Sequence, residues 1–388
     1  MLSIPFFLSA VSLLIWIVLT FFRGGFWFLR AFDDDVSAHA APPQWPRVVA
    51  IVPARNEESG IGNALDSLLA QEYAGEFSII VVDDHSEDAT PEIVGRRADQ
   101  TRNSPRNVTL LRAEALAIGW TGKLWALEQG VRTALPLDPE FFWFTDADIV
   151  HAPDTLQRLV SNAETPHRDL VSLMVLLHAK HFAERLLIPA FLYFFLKLYP
   201  PGRTADRTSR VAGAAGGCVL LRRQALERIG GMAAIRSEVI DDCALARAVK
   251  RSGGQIWMGV TRKSVSLRTY SGFGDICSTI ARTAFTQLRY SWLLLVGTLL
   301  GMFLTYLVPV IFTFSPQSAV WRTALAAWIL MSLTYMPTVR FYRLSALWAP
   351  FLPVAAILYS YGTWLSAFRY WRGHGGQWKG RVQAPSVK

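Results

Sequence analysis

Cysteine is scarce in this chain and follows no pattern. Only three are present among 388 residues, Cys218, Cys243 and Cys277, and no two are close enough in sequence to form a CxxC pair. This spacing excludes both a zinc knuckle and a disulfide framework. A reducing, cytoplasmic location for the central part of the chain is the simplest interpretation.

A dense basic run is also missing. The formal net charge is +9, but the 39 lysines and arginines are dispersed along the chain. This dispersal argues against nucleic acid as a partner, and it suits an anionic lipid surface or anionic substrates. The 14 Trp and 23 Phe fit side chains that favour a membrane–water boundary.

Residues 2–22 contain no charged side chain. About 20 apolar residues cross a bilayer as a helix, so the sequence predicts an N-terminal transmembrane anchor over residues 1–24. A cleavable signal peptide fits poorly, because no Lys or Arg precedes the apolar run and no clear A-x-A site follows it. Arg23 and Arg30 at the C-terminal end of the run place that end in the cytoplasm by the positive-inside rule.

Three more apolar runs, at 292–314, 319–339 and 345–368, predict membrane helices over residues 291–368. The last contains Pro350 and Pro353 and is expected to be kinked or re-entrant. If every run crosses, the basic tail at 369–388 lies outside the cytoplasm, against the positive-inside rule. Either one C-terminal segment does not cross or the rule is broken, and the sequence leaves both open.

The part between these runs has an α/β pattern. After an Ala/Pro-rich linker at 25–46, short apolar runs at 48–52, 78–82, 108–111, 141–145 and 170–176 alternate with helical stretches near 58–70, 90–99, 122–134 and 153–163. This alternation predicts a mostly parallel sheet with helices on both faces, in a domain over 47–290. Residues 182–198 are apolar but interrupted by charges and a proline, which favours an interfacial helix.

Ionisable residues follow three of the predicted strands. Arg55 and Glu57 come after the first strand, Asp84 after the second, and Asp146 and Asp148 after a strongly apolar run at 141–145. Ligands bind at the carboxyl edge of such sheets. The two aspartates spaced i, i+2 predict a site for a divalent cation, Mg²⁺ or Mn²⁺, that bridges a diphosphate. A helix cap is the alternative for Asp84.

Two further features lie at predicted helix starts. Asp241 and Asp242 precede the helical pattern at 243–251, where they could act as a general base or only compensate the helix dipole. Lys123 lies in the first turn of the helix predicted near 122–134, within plausible reach of a phosphate. A solvated surface lysine is the alternative.

Six motifs together resemble the family-2 glycosyltransferases, which have the GT-A nucleotide-sugar-binding fold. They are Val-Pro-Ala-Arg-Asn-Glu (52–57), Val-Asp-Asp-His-Ser (82–86), Gly-Lys with Ala-Leu (122–127), Asp-Ala-Asp (146–148), Ala-Gly-Gly-Cys with Leu-Arg-Arg (215–223) and Ile-Asp-Asp with Leu-Ala-Arg (240–247). Their order and spacing match from about residue 47 to 290. The membrane segments are similar to those of the ceramide-glucosyltransferase-like branch. Within that branch, bacterial hopanoid-biosynthesis-associated glycosyltransferases resemble this chain at Trp-Thr-Gly-Lys (120–123) and Trp-Lys-Gly-Arg (378–381).

The resemblance implies an inverting transfer of sugar from a nucleotide-sugar, expected to be UDP-linked, to a membrane lipid such as a hopanoid or other polyprenoid. It implies a multi-pass protein of the bacterial inner membrane with a cytoplasmic catalytic domain. Asp242 is implied as the catalytic base, with Asp241 in place of the family's usual Glu. Implied donor contacts are Pro53, Arg55, Glu57, Asp84, Lys123, Asp146 and Arg289, implied metal ligands are Asp148 and Asp146, and Gly216 and Gly217 are implied on the acceptor side.

The chain departs from the family's Gln-x-x-Arg-Trp motif. Thr286 replaces the Gln and Tyr290 replaces the Trp, whereas Arg289 is retained. A processive polysaccharide synthase, the first alternative function, is therefore less favoured. A membrane transporter with an accessory nucleotide-binding domain is the alternative of another class, and the apolar runs contain few of the charges that a transport path requires.

Overall fold

The computed structural model describes residues 3–29, 32, 41–164, 167–378 and 381–382. Within them the central part of the chain forms an eight-stranded sheet in the order β3-β2-β1-β4-β7-β6-β8-β5. The strands are β1 (Val48–Ala54), β2 (Phe77–Asp83), β3 (Val108–Arg112), β4 (Phe141–Thr145), β5 (Ile149–His151), β6 (Leu170–Leu176), β7 (Cys218–Arg222) and β8 (Ile256–Ser266).

Most of the sheet is parallel, as the sequence predicts. β1 pairs in parallel with β2 and β4, β2 with β3, and β6 with β8, whereas β7 runs antiparallel to both β4 and β6. The fold is therefore a GT-A-type α/β arrangement. The carboxyl ends of β1, β2 and β4 meet at one edge, which is where the ionisable residues of the motifs lie.

Helices cover both faces of the sheet. Two apolar clusters form, one on each face, and the strands contribute to both because successive side chains point to opposite faces. The helices of this part are α2 (Ile61–Leu69), α3 (Thr90–Thr101), α4 (Gly122–Ala134), α5 (Thr155–Glu164), α6 (Phe182–Leu198), α7 (Pro201–Ala205), α8 (Arg223–Arg228), α9 (Asp241–Arg251) and α10 (Phe273–Gln287).

Four helical segments of the described chain are long and apolar enough to cross a membrane: 4–22, 292–313, 318–341 and 346–371. They agree with the runs read from the sequence. Their elements are α1 (Ile4–Phe22), α11 (Trp292–Met302) joined by a π turn to α12 (Val308–Thr313), α13 (Ser318–Phe341), and a 3₁₀ turn (Ala346–Phe351) that leads into α14 (Leu352–Trp371).

The predicted helix at 182–198 is present as α6, and it packs against α13 and α14 in a third apolar cluster. Two short strands, β9 (Gln377–Trp378) and β10 (Arg381–Val382), follow α14. Part of the predicted linker, including Arg30 and residues 33–40, and part of the basic tail lie outside the described residues.

Candidate active site

The loops that follow β1 and β2 are tied to each other. The Asn56 amide donates to Ser86 Oγ at 3.0 Å, and the Glu57 amide donates to Thr90 Oγ1 at 2.8 Å. Asn56 has a positive φ of 52°, a conformation that Asn tolerates better than most residues. These bonds hold Glu57 at the sheet edge, and they show that the polar residues of the second loop brace the first.

The two aspartates after β4 have different environments. Asp146 is 37% exposed and points toward Lys123, whereas Asp148 accepts a hydrogen bond from Ser266 Oγ at 3.2 Å. Burial, together with the nearby charge of Asp146, raises the pKa of Asp148. A Cβ at Gly60 would lie 3.4 Å from Asp148 Cα, so only a small residue fits beneath this turn. The nearby positive charge of Arg268 opposes this shift but does not cancel it.

Lys123 lies at the centre of the acidic residues. Its Nζ is 2.8 Å from Asp146 Oδ1 and 3.3 Å from Asp241 Oδ2, and its side chain is 18% exposed. Burial alone lowers the pKa of a lysine, but the charges of Asp146, Asp241 and Asp242 outweigh burial and raise it. Lys123 is therefore a permanent cation, and the surface alternative considered from the sequence is wrong.

Asp242 is held at the start of α9 by backbone donors. Its Oδ2 accepts from the Gly216 amide at 2.8 Å, and its Oδ1 accepts from the Cys243 amide at 2.7 Å. Burial and the charge of Asp241 raise the pKa of Asp242 to about 6, against the opposing effects of Lys123 and the two amides. A carboxylate with that pKa is ionised at neutral pH and still basic enough to accept a proton.

Gly216 allows this arrangement to be compact. A Cβ at this position would lie 3.3 Å from Asp242 Oδ2 and 3.4 Å from Lys123 Nζ, which is tighter than ordinary van der Waals contact. Gly217 faces the other way, because a Cβ there would meet Val175 and Ile149 in the sheet. The two adjacent glycines therefore have different surroundings, and only Gly216 borders the charged groups.

These residues line a cleft of about 780 Å³. Its wall includes six of the residues predicted from the sequence: Pro53, Glu57, Lys123, Asp146, Asp148 and Asp241. Asp242 and Gly216 line a smaller adjoining pocket that shares Pro53, Lys123, Asp146 and Asp241 with the cleft. Groups far apart in the sequence thus converge at one edge of the sheet.

The opposite wall of the cleft carries three arginines that sequence reasoning missed. Arg268 follows β8, Arg282 lies in α10 and Arg369 lies near the end of α14. Arg268 and Arg369 donate to Thr279 Oγ1 at 3.4 Å and Ser278 Oγ at 3.2 Å, which are neighbours on α10. None of the three has an ion-pair partner among the described residues, although Asp275 and Glu238 also border the cleft.

Three predicted donor-binding residues lie away from the cleft lining found for the described chain. Asp84 is 2% exposed, and its carbonyl accepts from Arg55 Nη1 at 2.5 Å. Both residues therefore lie beneath the loop surface. Arg289 is exposed in the turn after α10 with a φ of 52°. Their roles in donor binding stay predictions.

The wall formed by α10 is fixed in place by a buried carboxylate. Glu184, in the first turn of α6, accepts from His178 Nδ1 at 2.8 Å and from the backbone amides of Lys180, His181 and Tyr270. Although burial opposes ionisation, these hydrogen bonds lower the pKa of Glu184 to about 2. Glu184 thereby links α6 to the segment before α10.

The acidic residues offer a partial cation site. Within the described residues no group of three or more His, Cys, Asp and Glu side chains is arranged to hold a metal. Asp146 and Asp148 supply carboxylate oxygens, which hard divalent cations prefer, and phosphate oxygens of a ligand complete such a shell. Burial raises the pKa of Asp148 and so disfavours its charged form, a cost that a bound cation would offset. The donor set fits a cation that binds together with a diphosphate.

Two family profiles match the chain. The one described as Glycosyl transferase family 2 matches residues 49–230, and the one described as Glycosyl transferase family group 2 matches residues 142–364, more than half of the chain. Together they span residues 49–364, which include nearly all of the sheet, most of the cleft lining and most of the C-terminal apolar helices.

Individual proteins are also similar to this chain. A beta-monoglucosyldiacylglycerol synthase from Synechocystis sp. is 30% identical over 132 residues, a match that spans 34% of this chain and 26% of that relative. A mannosyltransferase from Pyrobaculum calidifontis, solved in complex with GDP-Man and Mn²⁺, aligns with 93% of this chain and 98% of its own at 19% identity and a TM-score of 0.52. At that identity, the structural similarity shows a shared fold.

Proposed function

The chain belongs to the family 2 glycosyltransferases, and we propose that it transfers a sugar from a nucleotide-sugar to a membrane lipid with inversion at the anomeric carbon. The observation that carries this proposal is the convergence of Asp242, Asp241, Lys123 and Asp146 at one cleft. A carboxylate with a pKa near neutrality lies there beside a site suited to a diphosphate.

Asp242 is the proposed general base. It takes the proton of the acceptor hydroxyl while the hydroxyl oxygen forms a bond to the anomeric carbon. The bond between that carbon and the diphosphate oxygen breaks, and its electron pair leaves with the nucleoside diphosphate. Asp241 assists by raising the pKa of Asp242 and by holding Lys123 at 3.3 Å. Gly216 leaves room for the acceptor hydroxyl beside Asp242.

The donor diphosphate is proposed to lie between Asp148 and Lys123. A divalent cation bound by Asp148 and Asp146 would neutralise charge on the diphosphate. Lys123 provides a fixed positive charge next to the same oxygens. Pro53 and Glu57 border the position for the nucleoside, and Arg55, Asp84 and Arg289 keep the donor-binding roles that the resemblance implies.

The three arginines on the opposite wall supply further positive charge. Arg268, Arg282 and Arg369 lack carboxylate partners in the described chain, so their guanidinium groups are available to phosphate oxygens. They are positioned to stabilise the leaving diphosphate from the side opposite Lys123. The sequence had indicated Arg289, and not these three arginines, as the basic residue that contacts the donor.

A lipid acceptor is favoured by the composition of the cleft wall. Arg369, His374 and Gly376 border the cleft, and they lie at or just after the end of α14, which is apolar enough to enter a membrane. A lipid acceptor at the bilayer surface would therefore enter the cleft from this end. The partial similarity to a glucosyldiacylglycerol synthase is consistent with such an acceptor. A hopanoid or other polyprenoid-derived lipid is the narrower proposal, with the bacterial inner membrane as the location and the catalytic domain in the cytoplasm.

The test is transfer by purified protein in detergent. The protein is incubated with Mn²⁺ or Mg²⁺, membrane lipid extract and a panel of radiolabelled nucleotide-sugars, and label in the organic phase is measured. We expect lipid-borne label with one donor, and its loss in Asp242→Asn. Asp66→Asn, which removes a surface carboxylate paired with Arg97, is the matched control. Nucleotide release without any lipid-borne label would refute the lipid acceptor.

A further inference from the structure

The side of the membrane reached by each apolar helix can be read from its contacts. Ser3, before α1, hydrogen-bonds Gln317, before α13, at 3.0 Å, so both helices begin on the same side. Both end against the catalytic domain: Arg23 donates to the Lys197 carbonyl at 3.0 Å, and Arg262 of β8 donates to the Phe341 carbonyl at 3.2 Å. α1 and α13 therefore run in the same direction, from a far side to the catalytic side.

The segment formed by α11 and α12 runs the opposite way. It begins directly after α10, beside the catalytic domain, and ends a few residues before Gln317 on the far side. Trp16, within α1, donates to the Thr305 carbonyl at 2.8 Å midway along it. Three segments thus connect the two sides, and the chain is back on the catalytic side at Phe341.

The fourth apolar segment begins and ends on that same side. After Phe341 the chain turns inward, and Trp328 in α13 donates to the Pro350 carbonyl at 3.1 Å. α14 then returns along α10, with Tyr370 stacked on Tyr290 at 4.4 Å and Arg369 bonded to Ser278. Residues 374 and 376 border the cleft itself.

The number of residues between Phe341 and Arg369 also agrees with a segment that enters the bilayer only part of the way. Trp328 is 13 residues from Phe341, roughly 20 Å along α13 at 1.5 Å per residue. That is less than the ~30 Å hydrocarbon thickness of a bilayer. Two full crossings need roughly 40 helical residues, and only 28 separate Phe341 from Arg369. The segment is too short to cross and return.

One face of α14 remains apolar and uncovered. Val354, Ile357, Tyr361 and Trp364 are 43%, 50%, 51% and 44% exposed, and their spacing places them in one stripe. The opposite stripe packs against α10, where a Cβ at Gly362 would lie 3.0 Å from Ile280. The uncovered stripe is apolar, so the environment that suits it is the hydrocarbon of the bilayer.

We propose that α14 does not cross the bilayer: the segment 342–371 enters the bilayer from the catalytic side and returns, so that three apolar segments of the described chain cross and the residues after α14 lie on the catalytic side. This topology places Arg369 and Arg372 on the same side as Arg23 and removes the conflict with the positive-inside rule. It also makes the return of α14 a requirement for completing the cleft wall.

Side-specific cysteine labelling tests the topology independently of the reaction. The three native cysteines are buried, and single variants Arg102→Cys in the catalytic domain, Gln317→Cys on the far side and Arg372→Cys after α14 replace exposed residues. A membrane-impermeant maleimide is applied to intact cells and to inverted vesicles. We expect Arg372→Cys to label in the same preparation as Arg102→Cys and Gln317→Cys in the other.

Labelling of Arg372→Cys together with Gln317→Cys would overturn the proposal. A second measurement covers the case in which a cysteine variant does not accumulate: the full chain is fused at its C-terminus to green fluorescent protein or to alkaline phosphatase. Bright fluorescence with inactive phosphatase is expected for a cytoplasmic catalytic side. The proposal would be contradicted if the phosphatase fusion were active while Arg102→Cys was labelled only in inverted vesicles. That result would place the C-terminus on the side of the membrane opposite the catalytic domain.

Discussion

A general base with a raised pKa makes the rate depend on pH in a specific way. Burial and Asp241 raise the pKa of Asp242 to about 6. Only the ionised carboxylate accepts a proton, so kcat/KM is full above this pKa and is lost as the pH falls through it. A single site with that pKa is roughly 90% ionised at pH 7 and roughly 10% ionised at pH 5. We therefore expect about a tenfold fall in kcat/KM between those values.

The neighbours of Asp242 give this prediction a direction that can be checked. The negative charge of Asp241 disfavours ionisation of Asp242, and the positive charge of Lys123 favours it. Asp241→Asn should therefore move the acidic limb of the profile to lower pH, whereas Lys123→Met should move it to higher pH. The two shifts have opposite signs, although both variants should lose activity because both residues border the proposed donor site.

The assay is the initial rate of nucleotide release at low donor concentration, measured from about pH 4.5 to about pH 8.5. Circular dichroism at each pH confirms that the protein is folded, and Asp66→Asn should leave the profile unchanged. A flat profile down to pH 5 would refute a base with a raised pKa. If Asp241→Asn moved the acidic limb of the kcat/KM profile to higher pH, the proposed effect of the Asp241 charge on Asp242 would be refuted.

Three further substitutions test other parts of the site. Gly216→Ala should lower kcat roughly tenfold with little effect on folding, because the new methyl displaces the base by a few tenths of an ångström. Gly95→Ala is the control, because nothing lies within 4 Å of a Cβ at that position in α3, and this variant should keep full activity. Asp148→Ala should weaken donor binding in calorimetry and lower kcat/KM on the order of 100-fold, and unchanged donor affinity would contradict its role. Arg282→Gln should raise the KM for the donor about tenfold, whereas Arg96→Gln on the exposed face of α3 should not.

Much of the sheet edge could be predicted from the sequence. Buried parallel strands are near-continuous apolar runs, and β1, β2 and β4 were found within two residues of their observed bounds. Because their carboxyl ends meet at one edge, Glu57 and Asp146 were expected together, and the cleft contains both. Strands β5, β7 and β8 were missed, since their shorter or mixed patterns do not stand out from neighbouring loops.

The expectation that ligand-binding residues follow the carboxyl ends of strands located Asp84 along the chain, but it did not predict the direction of its side chain. Successive side chains after a strand point in different directions, and Asp84 turns beneath the loop toward Arg55, where it is 2% exposed. The same limitation applies to Gly216 and Gly217, whose environments differ although they are adjacent. Which of two neighbouring residues faces a ligand depends on tertiary contacts.

The second wall of the cleft could not be read from local patterns. Arg268, Arg282 and Arg369 are separated by up to about a hundred residues, and they meet only because α14 packs along α10. Apolar length predicted α14 as a membrane segment, but length alone does not say whether a helix crosses or returns. The proposed return of α14 rests on the hydrogen bond between Trp328 and Pro350.

The most direct test of the account compares donor binding with turnover in Asp242→Asn. The amide keeps the size of the carboxylate but does not accept a proton, and Asp146, Asp148 and Lys123 remain in place. Titration calorimetry with the reactive nucleotide-sugar and Mn²⁺ should give a donor affinity close to that of the unchanged protein, while transfer to lipid falls by at least about 100-fold. Turnover that persists in Asp242→Asn at the original rate would contradict the central claim.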